Sequence, residues 1–427
     1  MKSSNFQKWL MVILLAIGGG TIFKSLYLRE MLYYPWNEFM GVDNTQSGLL
    51  MSWLGLVGVL AGSFSGVIVD KINNTRLVIA GTFLVMGLAT LWQSTAPSLP
   101  VQYVIIGILS TFANGFFLVS MVRATRLIGD AESQGKMFGF LESGRGIAGS
   151  LVSAVAIYIV AQASSDIEGV ANILYAYGFL YIGLGVMMWF CIPKTKDEEK
   201  SDEKKEKLSI GDVLSIAKVK EVWLAAFAVF ATICFYQGSS YLVPYLTDAY
   251  GMSTDQAAIV GMIRAYVLAI FLAPIAGILV DKVGSAIKVM KFLFIVGALC
   301  TGLFLVIPQK PEVVWFMIAA LLVAGSINFA LRGVMYAQLE EIKVPKHLTG
   351  TVTGIVLTIG FSPEIFIHAV FGYWLDTYQL EGYNYMFIFM TTLFALAAFS
   401  SAYLYKNAGT AFENFKLASK PQPTKAQ

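Results

Sequence analysis

Charge, cysteine and histidine are all scarce in this sequence. Asp, Glu, Lys and Arg make up 13% of its 427 residues, about half of the roughly 25% usual in a soluble domain. With 57% hydrophobic residues and a mean hydropathy of +0.68, too few charges remain to cover a water-facing surface. A soluble enzyme is therefore excluded. The three cysteines, Cys191, Cys234 and Cys300, all lie in apolar runs, which excludes a disulfide framework. Two histidines and three scattered cysteines do not make a metal site. A net charge of +3 is too small to imply a nucleic-acid partner. There is no Gly-x-x-x-x-Gly-Lys-Ser/Thr run, so nothing points to ATP hydrolysis, and no cofactor is expected.

What the chain has in abundance is long apolar runs. They fall at about 9–28, 46–69, 77–96, 101–122, 136–162 and 171–192, then at 219–246, 255–280, 288–307, 312–335, 348–374 and 383–405. Each is long enough to cross roughly 30 Å of hydrocarbon at 1.5 Å per residue. The first run follows Lys2 and Lys8 but has no small-residue cleavage site, so an uncleaved first helix is expected rather than a signal peptide. Of the 30 Lys and Arg, 24 fall in the two ends and the even-numbered connections, five fall inside spans, and only Lys310 falls in the remaining loops. That asymmetry places both termini in the cytoplasm and predicts a multi-pass protein of the cytoplasmic (inner) membrane.

The runs divide into an N-terminal six-helix bundle (1–192), a charged cytoplasmic linker (193–218), a C-terminal six-helix bundle (219–405) and a cytoplasmic tail (406–427). In the linker, Ser209 and Asp212 are spaced to cap a short amphipathic helix. The two bundles repeat each other. Gly66-Val-Ile-Val-Asp70-Lys71 recurs 211 residues on as Gly277-Ile-Leu-Val-Asp281-Lys282, while Asn114 and Asn328, and Gly146 and Gly360, are 214 residues apart. Parallel six-span repeats are a transporter architecture in which two halves rock about a midplane site.

These residues resemble the major facilitator superfamily, whose loop 2–3 signature is Gly-x-x-x-Asp-Arg/Lys-x-Gly-Arg-Arg/Lys. The first copy keeps Gly66, Asp70 and Lys71 but has Asn73 at the second glycine; the second keeps Gly277, Asp281, Lys282 and Gly284 and loses the basic pair. The resemblance implies an all-α membrane protein with twelve transmembrane helices in two pseudo-symmetric bundles. It also implies a cytoplasmic latch, in which Asp70 pairs with Arg123 or Arg126 or sits at a helix N-terminus. Gly55, Gly58, Gly62 and Gly66 in span 2 suit tight helix packing.

A charge at bilayer depth costs on the order of 2.5–3.5 kcal/mol and so marks a candidate site. Arg145 lies 11 residues beyond Gln134 and Arg264 lies 10 beyond Thr254, roughly 15–16 Å deep from opposite ends of their spans. Both are placed to line one central chamber. Glu142, one turn before Arg145, offers a structural ion pair as the competing reading. Arg264 has no acid in its own span, so a substrate anion or Glu364 is expected to balance it. Lys24 either faces the chamber or snorkels outward. Arg29, beside Glu30 at the end of span 1, reads as an interfacial anchor, and Arg332 as a gate or snorkelling residue. Glu364 follows Pro363, which kinks span 11, and is the candidate carrier of a coupling proton, with Glu142 a second candidate and His368 one turn on. In span 7, Gln237, Tyr241 and Tyr245 share a face; the first two suit substrate hydroxyls or a ring, and Tyr245 reads as a belt residue. Asn114 and Asn328 bind substrate or bond across helices.

Five intramembrane cations against two deep acids favour an anion. The combined reading is a secondary active transporter, a proton symporter of a small organic or inorganic anion, working by alternating access. Arg145, Arg264, Lys24, Gln237, Tyr241, Asn114 and Asn328 bind the substrate. Asp70, Lys71, Arg123, Arg126, Asp281, Lys282 and Arg332 gate the pathway. The chain resembles anion-handling branches such as nitrate/nitrite porters and organophosphate or sugar-acid permeases, without the Gly-Asn motifs of the former. A monomer in contact with lipid and protons is expected. Two other readings stay open: a broad-specificity exporter of amphiphiles, and a transporter-like ligand sensor.

Overall fold

The computed structural model describes residues 5–72, 74–128, 134–192, 216, 218–345 and 348–408. The linker helix expected around Ser209 and Asp212, and the tail beyond residue 408, lie outside the described residues. The first set of helices is α1 (Asn5–Thr21), a short α2 (Tyr33–Met40), α3 (Asn44–Ile72), α4 (Thr75–Gln93), α5 (Leu99–Ser110), α6 (Leu118–Ile128), α7 (Gln134–Gln162) and α8 (Asp166–Cys191). The second is α9 (Lys220–Gly238), α10 (Leu242–Tyr250), α11 (Thr254–Met262), α12 (Leu268–Val283), α13 (Ala286–Leu303), α14 (Val314–Val334), α15 (Thr349–Gly360), α16 (Pro363–Tyr378) and α17 (Leu380–Asn407). Four spans are built from two helices in line: α5–α6, α9–α10, α11–α12 and α15–α16. Ten continuous helical stretches among the described residues are long and apolar enough to cross a membrane. The shorter apolar helix Trp9–Thr21 and the interrupted α11–α12 run complete twelve spans.

Each set of helices closes on its own apolar core. Phe83, Phe117 and Tyr181 form an aromatic cluster in the first, and Phe235, Phe294 and Phe394 form one in the second. Large apolar side chains such as Phe190, Trp315 and Phe399 point away from the protein, as a surface solvated by lipid tails requires.

The two sets meet along α3 and α16. A Cβ on Gly48 would lie 2.1 Å from the carbonyl oxygen of His368, and one on Gly55 would lie 2.4 Å from that of Glu364. Only glycine permits so close an approach of two helix backbones. Gly62 lies on the same heptad face, one step further along, yet a Cβ there would meet nothing within 4 Å. The halves are therefore in contact from Asn44 to Gly55 and apart by Gly62.

The closed end is fastened by polar groups. Asp376 of α16 accepts hydrogen bonds from the Asn44 side-chain amide (2.7 Å), the Thr45 backbone amide (2.6 Å) and the Thr45 hydroxyl (2.5 Å). A carboxylate of one half thus caps the N-terminus of a helix in the other, where both the free N–H groups and the helix dipole favour it. Asp248 likewise accepts from the Tyr34 hydroxyl at 2.5 Å and the Tyr383 hydroxyl at 2.7 Å. This closed end holds the N-terminus of α3 and the C-terminus of α16.

Candidate substrate site

Deep polar residues of this chain sit largely where helices break. Three glycines, Gly18 to Gly20, weaken the end of α1, which stops at Thr21; the span continues through turns and a 3-10 turn, Leu28–Glu30. The exposed backbone groups of that stretch are satisfied by Tyr181 of α8, whose hydroxyl donates to the Thr21 carbonyl at 2.8 Å and accepts from the Ser25 amide at 3.2 Å. Irregular backbone at membrane depth requires such protein partners. Span 7 breaks at Ser239–Tyr241, and span 11 breaks between Gly360 and Pro363. Spans 4 and 8 widen into π turns, Thr111–Phe117 holding Asn114 and Ile263–Val267 holding Arg264. Such turns recur at functional sites because they re-aim a side chain out of the helical register.

Arg264 is 2% exposed. Its Nη1 donates to the Ser239 hydroxyl at 2.6 Å, and its Nη2 lies 3.8 Å from a carboxylate oxygen of Glu30. Among the described residues Nε and Nη2 find no hydrogen-bond partner, although a buried guanidinium is costly without acceptors. The acid beside Arg264 is thus Glu30, not the expected Glu364. The break after Thr21 brings Glu30 inward, so it is no interfacial residue. Its charged neighbours are Arg264, Arg29, Arg332 and Lys24. Glu364 interacts electrostatically with Arg332 and Glu30 and bonds to Gln237, and Tyr27 is within electrostatic reach of Glu364, Glu30, Tyr236 and Arg332. Lys24, Tyr27, Glu30, Arg264, Arg332 and Glu364 therefore form one cluster drawn from both halves.

Around the cluster, Lys24 is buried and donates to the Ser153 hydroxyl at 2.8 Å, so it faces the protein rather than snorkelling. The Arg332 guanidinium stacks over the Tyr236 ring, 3.9 Å from its centroid, a cation–π contact. Gln237 and Asn328 are buried, each with a side-chain oxygen lacking a partner. Asn114 bonds to the Ser110 hydroxyl in its own span at 3.2 Å.

Other expected residues take other partners. Arg145 is paired with Glu142 at 2.6 Å on the same helix and packs over Gly19; the two central arginines take different partners. Tyr241 belongs to the contact between the halves. Its hydroxyl accepts from Arg29 at 3.0 Å and donates to the His368 carbonyl at 2.8 Å. Arg29 is fully buried, bonded also to Ser47 and lying over the rings of Tyr33 and Tyr241. The interfacial anchor expected there is a bridge between the halves. Tyr245 is likewise buried against Tyr250, Tyr383 and Phe387 rather than standing at the headgroups. Lys71, Asp281 and Lys282 are exposed and Arg123 is half-buried. The side chains of Asp70 and Arg126 lie outside the described ones.

The Major Facilitator Superfamily profile matches residues 9–367. The chain belongs to the major facilitator superfamily. This facilitator is 29% identical over 396 residues to Inner membrane protein YqcE of Escherichia coli (strain K12), covering 91% of this chain and 92% of that one. It is 28% identical to Inner membrane protein YihN of the same organism over 403 residues, 93% and 94% of the two chains. Its fold matches a bacterial homolog to the human lysosomal transporter Spinster, solved inward-facing and unoccupied, with a TM-score of 0.71, 13% identity, and coverage of 98% and 100%. The facilitator is accordingly a multi-pass membrane transporter.

Sequence reasoning missed Glu30, Arg29, Tyr27 and Tyr236 as central groups. The signal that locates the first three is Gly18–Gly20, which ends α1 early and leaves the following polar residues at depth.

Proposed function

We propose that this facilitator is a secondary active transporter that carries a small organic anion together with a proton by alternating access. The inner membrane, with both termini cytoplasmic, is its proposed location, in keeping with the charge distribution and with the names of the Escherichia coli relatives. The observation that carries the anion reading is Arg264, buried at the junction of the halves with two N–H groups unfilled. A carboxylate or sulfonate fills both at once, in the bidentate geometry that suits guanidinium. Arg332 adds positive charge, and Lys24, Tyr27, Tyr236, Gln237 and Asn328 offer amine, hydroxyl and amide partners. Glu364, at the break of span 11, is placed to carry the coupling proton. Asp376 and Arg29 close the outer side in the conformation described, and the exposed Asp281–Lys282 turn, with Asp70 and Lys71, serves the opposite closure.

The test is a thermal-shift screen of the purified protein against small carboxylates and sulfonates, followed by counterflow in proteoliposomes for any anion that stabilises it. Arg264→Ala is expected to weaken binding by about one to two orders of magnitude, the loss of charged hydrogen bonds worth about 1.5–3 kcal/mol, while the protein stays folded. Counterflow unchanged in that variant removes the anion from Arg264.

A further inference from the structure

Glu30 and Arg264 face each other across the two halves, one on the broken end of span 1 and the other on the π turn of span 8. At 3.8 Å their pairing is too long for a hydrogen bond, and it leaves Nε and Nη2 of Arg264 without acceptors. A pair built only to stabilise the fold gains its energy from close, bidentate contact. This one has the spacing of a counter-ion that balances charge without occupying the donors. Resting on the anion reading above, we propose that Glu30 holds the substrate's place at Arg264 and that a proton must neutralise Glu30 before the anion settles there.

The physical argument is one of competition. An incoming carboxylate that accepts from Nε and Nη2 of Arg264 comes to rest beside the Glu30 carboxylate, and two like charges on one guanidinium repel. A proton taken from water onto a Glu30 carboxylate oxygen removes the repulsion. No bond in the substrate is broken: one proton and one anion enter, and Arg264 exchanges one counter-ion for another. The other charged or titratable groups around Glu30 are Lys24, Arg29 and Tyr27 from its own half, and Arg332 and Glu364 from the other. The arginines Arg29 and Arg332 remain charged whichever carboxylate is present; Lys24 and Glu364 are the other groups that can exchange a proton here, and the Glu30→Gln variant separates Glu30 from them. By linkage, the anion and the proton each favour the binding of the other. Glu30 thereby also selects against cations and neutral solutes, which cannot replace a carboxylate beside Arg264.

The experiment is thermal-shift titration of the full-length protein with formate and with nitrate at constant ionic strength, from mildly alkaline to mildly acid pH. In the wild type the half-saturating concentration is expected to fall as the pH is lowered. Glu30→Gln, a neutral isostere, is expected to bind at neutral pH on the order of tenfold more tightly than the wild type and to lose the pH dependence. Glu30→Asp is expected to keep it. Arg264→Ala, alone or combined with Glu30→Gln, is expected to respond to both anions about ten- to a hundredfold more weakly. A second measurement on unaltered protein is proton uptake: in lightly buffered solution, adding formate is expected to draw protons from the medium, in the wild type and in Glu364→Gln alike. A Glu30→Gln protein with the wild-type pH profile, or anion binding without proton uptake, overturns the role of Glu30 and leaves the anion reading intact. A response to formate in Arg264→Ala equal to that of the wild type, or no response of the wild type at any pH, overturns both.

Discussion

At the scale of single residues, the scarcity of charge made the deep ionisable groups easy to find and their partners hard to assign. Arg264 and Glu364 stand out in the sequence because a charge in an apolar run is costly. What the pattern does not carry is which carboxylate faces which guanidinium, since those contacts join spans far apart in the chain. Glu30 is the case in point: counting residues along a continuous helix puts it at the membrane surface, and the break at Thr21 puts it beside Arg264. Glu364 permits a separate prediction. Replaced by Gln, it keeps a side chain of the same shape beside Gln237 and Arg332 but can no longer exchange a proton. Uptake by Glu364→Gln is expected to respond more weakly to an imposed pH gradient, the share carried by Glu30 remaining, while counterflow at equal pH persists; acid-stimulated uptake at the wild-type rate refutes the assignment.

At the scale of elements, what matters is how helices end. Pro363 announces the break in span 11, and Gly18–Gly20 announces the one in span 1. The π turns carry no such mark. Ile-Arg-Ala-Tyr-Val reads as ordinary helix, and the widening at Arg264 follows from packing that local sequence does not encode. The cap of α3 by Asp376 is equally illegible, because its donors and acceptor are more than 300 residues apart. It nonetheless joins the halves through four hydrogen bonds. Asp376→Ala removes an acceptor of charge-assisted bonds worth about 1.5–3 kcal/mol each in favourable settings, partly offset here by solvent exposure. The variant is expected to populate a conformation open at that end. Spin labels placed on the N-terminal end of α3 and the C-terminal end of α16 are expected to show a longer distance than in the wild type; an unchanged distance assigns the closure to Arg29 and Tyr241 instead.

At the scale of the whole molecule, the twelve spans were legible in hydropathy alone, since lipid tolerates so few alternatives to an apolar helix. The internal repeat and the superfamily resemblance were legible in two short loop motifs. The conformation was not, because the same sequence must fit at least two arrangements of its halves to do its work. Gly48, Gly55 and Gly62 bear on that point. The first two are pressed against the opposite backbone, while the third has room around it that no neighbour uses. A Val in place of Gly62 is therefore expected to leave the present arrangement intact yet slow net uptake severalfold, with cysteines placed beyond Gly62 on α3 remaining reactive to a maleimide probe. If that holds, the seam between α3 and α16 works as a zipper with one more tooth than is fastened at any moment, and closing it at one mouth is what draws it apart at the other.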